Sequence, residues 1–179
     1  MIEKFDKILK MLETNPVDFR IEKHIKLPEI FTKEVLNKLK PFGMNNAGCI
    51  FCYWINSNNI TACPVVWIDS EGEPYAVFAS GMVNFFELLA YGTGAIYDII
   101  RASEKFYRNP EKYPSPEILF KNLFAENFTN EKGNKARITL KELLKSEMNI
   151  SVVPDPGKQI YLNYKNFIDI TNEINKNVK

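Results

Sequence analysis

Gly48-Cys-Ile-Phe-Cys-Tyr-Trp-Ile55, Pro64-Val-Val-Trp-Ile68 and Tyr75-Ala-Val-Phe-Ala79 are three runs in which almost every residue is apolar, and most are β-branched or aromatic. Turn formers lie between them: Asn56-Ser-Asn-Asn59 behind the first and Asp69-Ser-Glu-Gly-Glu-Pro74 behind the second. Runs of this length and composition, bounded by Asn, Asp, Ser, Gly and Pro, are read as strands. Connections this short join neighbours that run in opposite directions, so the segment predicts an antiparallel meander.

Working outward, the period changes from two to three and four. Ser80 is placed to cap a helix whose Met82, Phe85, Phe86 and Leu89 share one face, and Gly92 is placed to end it. A further helix runs through Ile96, Ile99, Ile100 and Phe106 and stops at Asn109-Pro110. Ser115-Pro116 is an N-cap followed by a first-turn proline, opening a helix through Ile118, Leu119 and Leu123. Thr139-x-x-Glu142 reads as a capping box that opens another to about Glu147, and a last helix is expected from Tyr164 to Ile174. Upstream, Ile2, Phe5, Ile8, Leu9 and Leu12 predict an amphipathic helix over 2–13, ending before Pro16. Thr32 should cap one that runs through Val35, Leu36 and Leu39 to Pro41. The expected fold class is α+β, a small antiparallel sheet packed against several α-helices, formed as one domain over 1–179.

Lys and Arg number 23 against 22 Asp and Glu, a formal charge of +1. No global field of that size draws a chain to a phosphate backbone or an anionic membrane, so neither nucleic acid nor membrane is an expected partner. The balance is uneven along the chain. Residues 41–100 hold no Lys or Arg; their charges are Asp69, Glu71, Glu73, Glu87 and Asp98, and both flanks are net basic. No stretch approaches the ~20 apolar residues of a membrane span, the charged N-terminus is unlike a signal peptide, and three cysteines suit a reducing compartment. A cytoplasmic location is expected.

Cys49-x-x-Cys52, Cys63 and the sole histidine, His24, could make up a zinc set by number. Residues three apart on a strand face opposite ways, so Cys49 and Cys52 would diverge, and buried thiols are the expectation. His24 has no serine or cysteine motif to act with, and Glu71 and Glu73 sit in a turn where solvated acids are ordinary. Gly92-x-Gly94 lacks the rest of a dinucleotide fingerprint. No cofactor, metal or catalytic residue is expected. Phe85, Phe86, Phe106, Phe120, Phe124 and Phe128 read as core, whereas Tyr53, Trp67, Tyr75 and Tyr91 are aromatic types that anchor protein interfaces.

The block from Cys63 to Gly92 resembles the central block of the SUKH superfamily, the group related to fungal cell-wall assembly regulators. The matching features are Pro64-Val-Val-x-Ile68, the Gly-containing turn Ser70-Glu-Gly-Glu73, a strand into Ala79-Ser80, and Phe85-Phe-Glu-Leu-Leu89. Pro41-Phe-Gly-Met-Asn-Asn-Ala-Gly48 resembles the usual entry to that sheet, and the likeness spans about residues 28–92. The resemblance implies a role without catalysis: bacterial members are typically immunity proteins that bind and block a cognate toxin, often a nuclease. A nuclease-type toxin would be basic, and the acidic middle third would face it. Asp69, Glu71 and Glu73, on a turn expected to project into solvent, with Trp67 and Tyr75 as anchors and Glu87 nearby, are the expected contact residues. A regulatory or scaffolding domain of the same fold that binds a host protein, and a small enzyme using the carboxylates or cysteines, are the alternatives.

Overall fold

Residues 50–54 alternate strictly between two apolar surroundings: Phe51 and Tyr53 pack into one cluster, Ile50, Cys52 and Trp54 into another. That period of two is what a strand gives. The same division continues through the next strands, with Trp67, Ala76 and Phe78 on the first side and Val66, Ile68, Tyr75 and Val77 on the second. Both faces of the sheet are therefore covered, which is why its central strands have almost no polar residue.

The computed structural model describes residue 8 and residues 19–72, 75–93, 96–127 and 131–178, with side chains 123–137 left aside. The fold is α+β. Five strands, β1 (Arg20–Ile21), β2 (Leu39–Met44), β3 (Ile50–Trp54), β4 (Val65–Ile68) and β5 (Tyr75–Ala79), form one sheet in sequence order, every pair antiparallel. The three expected strands are there as a meander. Two more precede them.

β2 corrects the expectation of a helix to Pro41. Helix α1 (Lys33–Lys38) follows its N-cap, Thr32, but stops at Leu39, where the backbone turns extended. Pro41 then lies within a strand, and its missing N–H is accommodated by an irregularity in the β2–β3 register between Pro41 and Gly43. Glycine is needed at 43 because a Cβ there would lie 2.4 Å from the Phe19 ring.

Among the described residues, six more helices follow. Helix α2 (Met82–Leu89) and α3 (Ile96–Arg108) cover the first face; Ile96, Ile99, Ile100 and Ser103 are the buried stripe of α3. Gly92, at φ +82°, follows the end of α2 as expected, while Gly81, not Ser80, is the N-cap. Helix α4 (Pro116–Asn127) begins at the expected proline. Helix α5 (Glu131–Met148) runs straight through Thr139, so the capping-box reading was wrong. The box has the right residues, but an N-cap needs a free helix end, and here a full helix precedes it. Asn149, at φ +55°, ends α5.

The single last helix is two, α6 (Pro156–Asn166) and α7 (Ile168–Lys176), broken at Phe167. The break lets α6 pack on one face of the sheet through Ile160 and Tyr164, and α7 on the other through Ile174. Together they straddle β5, the outer strand. Its outward polar groups are met by side chains: Asn163 Nδ2 donates to Phe78 O (2.8 Å), Asn175 Nδ2 to Tyr75 O (3.3 Å), and Val77 N donates to Thr171 Oγ1 (3.4 Å). Phe31 and Val178 form an isolated bridge that ties the end of the chain to the start of α1. The helix expected over 2–13 lies outside the described residues except for Ile8, which is fully buried. Among the described residues no helix is long and apolar enough to cross a membrane.

Candidate partner-binding pocket

Two turns meet at one end of the sheet. In the β2–β3 turn, Asn45 N donates to Cys49 O (3.0 Å), Cys49 N donates to Asn45 Oδ1 (2.9 Å), and Gly48 adopts φ +85°. A Cβ on Gly48 would stand 3.5 Å from Ser70 Cβ, so the β4–β5 turn lies directly alongside. The loop behind α2 closes the group through Thr93, whose Oγ1 accepts from Asn45 Nδ2 at 3.5 Å. Around these residues is a cavity of about 320 Å³ lined by Asn45, Cys49, Trp67, Asp69, Thr93 and Tyr97, with Ser70 and Glu71 at its exposed rim.

Asp69 is the centre of this pocket, and it differs from the solvated turn acid that was expected. It is 7% exposed. Its Oδ1 accepts from Glu71 N (2.9 Å), and Cys49 Sγ donates to its Oδ2 (3.5 Å). It has no ion pair among the described residues. A carboxylate removed from water is costly unless its oxygens are hydrogen-bonded or paired, and Asp69 has only part of that compensation. Burial also pushes the Cys49 thiol above its ordinary range, an effect to which the negative charge of Asp69 adds.

Trp67 and Tyr75 correct the expectation of surface anchors. They are 1% and 2% exposed. On β4 and β5, Trp67 stands opposite Ala76 and Tyr75 opposite Ile68, and alternation sends the two aromatics to opposite faces. Tyr75 packs edge-on against Phe31 in the second cluster. Trp67 meets Phe51 edge-on in the first and forms part of the pocket wall, and its indole Nε1 is buried with no hydrogen-bond acceptor among the described residues. Glu71 is exposed at the rim as expected. Glu73 lies outside the described residues. Glu87 is elsewhere, on α2, where it accepts from Asn84 Nδ2 (3.1 Å); burial raises the Tyr91 hydroxyl, with the charges of Asp155 and Glu87 adding to it.

The remaining motifs are placed as follows. Cys49, Cys52 and Cys63 are buried and free, and Cys49 and Cys52 fall into opposite clusters. His24 is exposed. Among the described residues no three His, Cys, Asp or Glu side chains gather as a metal set. A second cavity, about 400 Å³, is lined by Asp98, Arg101, Lys105, Tyr113 and Leu119 and shares Tyr97 with the first. Asn45, Thr93 and Tyr97 carry no site motif in the sequence, and Cys49 does so only as part of a zinc set. The signals were there in part: Asn45-Asn-Ala-Gly48 is a turn in its own right, and Thr93 stands between two glycines.

No family model, no curated protein and no solved structure matches this chain.

Proposed function

We propose that this chain is a non-catalytic binding module for a basic protein, acting as an immunity protein that blocks a cognate nuclease-type toxin in the cytoplasm, as the SUKH-like pattern of its central block implies. The observation that carries the reading is a sheet end bearing a buried Asp69, without an ion pair among the described residues, and an exposed Glu71, in a 60-residue stretch free of Lys and Arg. Acidic surface steers a basic partner and can compete for the groove that holds its phosphate backbone. A preformed surface fits this reading, since each turn is closed by its own Asn45 or Asp69 side chain and Cys49 Sγ donates across to Asp69 Oδ2.

The test is co-expression with the protein encoded beside it. A complex should form, and an equimolar amount of the chain should suppress the activity of that neighbour. Association should be fast at low salt and slow as salt is raised, because exposed charges act within a Debye length of about 10 Å at 0.1 M. Glu71→Lys should slow association at low salt, and the difference should shrink at high salt. A neighbour that neither binds nor loses activity sinks the immunity reading. A complex whose association rate ignores both salt and Glu71 places the interface away from this end.

A further inference from the structure

Helix α3 turns one stripe toward the loop 109–115 and the start of α4. Tyr97, Arg101 and Lys105, spaced four apart, follow that stripe, and with Tyr113, Pro114 and Leu119 they line the cavity of about 400 Å³. That volume lies within the roughly 300–1,000 Å³ of small-molecule sites. The other cations described on α3 and α4 each have a carboxylate, Arg108 with Glu104 and Lys121 with Glu117. Arg101 and Lys105, the two that line the cavity, have none among the described residues. We propose that this cavity is a binding site for a mononucleotide, with its phosphate on Arg101 and Lys105 and its base against Tyr113, a role beyond the partner binding proposed above and independent of it.

The charge selects a phosphate. Lys105, in the last turn of α3, also suits the helix dipole, but Arg101 is mid-helix and gains nothing from it. The Arg101 guanidinium lies over the Tyr97 ring, 5.2 Å from its centre, and this contact orients a side chain that otherwise samples many rotamers. A guanidinium held by its face keeps its edge N–H groups for the paired oxygens of a phosphate, and Lys105 adds a point charge one turn on. A phosphate monoester carries about −1.5 to −2 charges at neutral pH, which matches two cations. Asp98, the one carboxylate among the described lining residues, is in the first turn of α3, where it answers the positive end of its own helix. The opposite wall selects the rest of the ligand. Tyr113 is half-buried, and Pro114 and Leu119 lie in the same lining as apolar surface. An aromatic wall stacks a base, since every base has a π-face, and inorganic phosphate alone would leave that wall bare.

The experiment is an NMR titration of the ¹⁵N-labelled full chain with adenosine 5′-monophosphate, run beside its two halves, adenosine and inorganic phosphate, at one fixed ionic strength. The mononucleotide should give saturable shifts at the Ala102, Lys105 and Tyr113 amides. The Trp54 indole N–H, buried in the second cluster on the other face of the sheet, serves as the internal control and should not move. Each half should bind at least tenfold more weakly than the whole. Arg101→Gln combined with Lys105→Gln, both at exposed positions, should leave the urea midpoint unchanged and lower the affinity tenfold or more. Tyr113→Leu, which keeps apolar bulk without the ring, should lower it several-fold. Inorganic phosphate binding as tightly as the mononucleotide reduces the cavity to a basic surface and overturns the proposal. Adenosine binding equally well, shifts centred elsewhere, no saturation, or unchanged affinity in the double variant or in Tyr113→Leu would each overturn it too.

Discussion

Phe85 is the residue on which the first core cluster converges. It is fully buried and meets the rings of Phe19, Phe42, Phe51, Phe78 and Phe86, with centroids 5.2–6.1 Å apart. Removing such a ring forfeits its transfer energy and leaves a cavity, so Phe85→Ala should cost about 3–5 kcal/mol in urea unfolding. Val83→Ala, one turn face away and 38% exposed, should stay within about 0.5 kcal/mol. Equal costs at the two positions would mean that α2 is rotated from the arrangement described. Ionisation gives a second prediction at this scale. Burial holds the Cys52 thiol far above its ordinary range and pushes Tyr53 and Tyr164 up to about 12. An unfolded thiol loses its proton near pH 8.5 and an unfolded tyrosine near pH 10. Above those values the unfolded state binds fewer protons than the folded one, so stability is fully present below about pH 8.5 and falls as pH rises. The urea midpoint should therefore be level from pH 7 to 8 and decline beyond, and Cys52→Ala should flatten the decline between pH 8.5 and 10. A midpoint that stays level to pH 10 contradicts the burial of these groups.

At the scale of elements, the C-terminal pair α6 and α7 does for β5 what a further strand would do elsewhere. A sheet edge with free N–H and C=O groups is a template for another chain. Here Asn163, Thr171 and Asn175 occupy it. Asn163 is the most committed of the three: its Nδ2 also donates to Asn84 Oδ1 (2.8 Å), and its Oδ1 accepts from Gln159 Nε2 (3.1 Å), so it joins β5, α2 and α6. Asn163→Leu fills the space but strands Phe78 O in the interior and leaves Asn84 Oδ1 only its donors from Ser80, which should cost about 1–3 kcal/mol, read as a lower melting temperature. A chain cut before Pro156 should lose more than stability. With β5 uncovered it should self-associate in light scattering at concentrations where the full chain does not, and a cut chain that remains monomeric would show that the helix pair is not what guards the edge. Gly157 belongs to the same device. A Cβ there would lie 2.5 Å from Pro116 O, so α6 crosses the start of α4 closer than any side chain permits.

For the whole molecule, most of the apolar core lies apart from the sheet end proposed to bind a partner. The two apolar clusters sandwich the sheet along its length, while three buried polar side chains, Asn45, Asp69 and Thr93, meet at one end of it and others line the β5 edge. Asp69→Asn should for that reason leave the unfolding midpoint nearly unchanged at neutral pH while weakening partner binding, because the amide keeps the turn hydrogen bond and removes only the charge. A variant that loses both together would assign Asp69 to the fold and not to a partner. The exposed ion pairs, such as Lys26 with Glu29 and Lys121 with Glu117, contribute little to either property.

Strand identity over residues 48–79 and the face of α2 were legible in the sequence because they depend on local period and on turn residues, and both act over a few positions. The acid-only middle third was legible for the same reason: charge along a chain is visible before it folds. What sits where in three dimensions was not. Pro41 argues locally for a helix end and is in fact part of a strand, because pairing with β3 outweighs a local preference and a bulge absorbs the missing donor. Thr139 and Glu142 have the residues of a cap, but only the preceding helix decides whether a cap is needed. Asp69 reads as a solvated turn residue until a second turn, Asn45 to Cys49, closes over it from 20 residues away. Sequence alone determined the three strands over 48–79, the apolar face of α2 and the sign of the charge in the middle third. Tertiary structure decided which polar groups were enclosed and which partners they were left without, since burial is a property of what other segments bring to the same place.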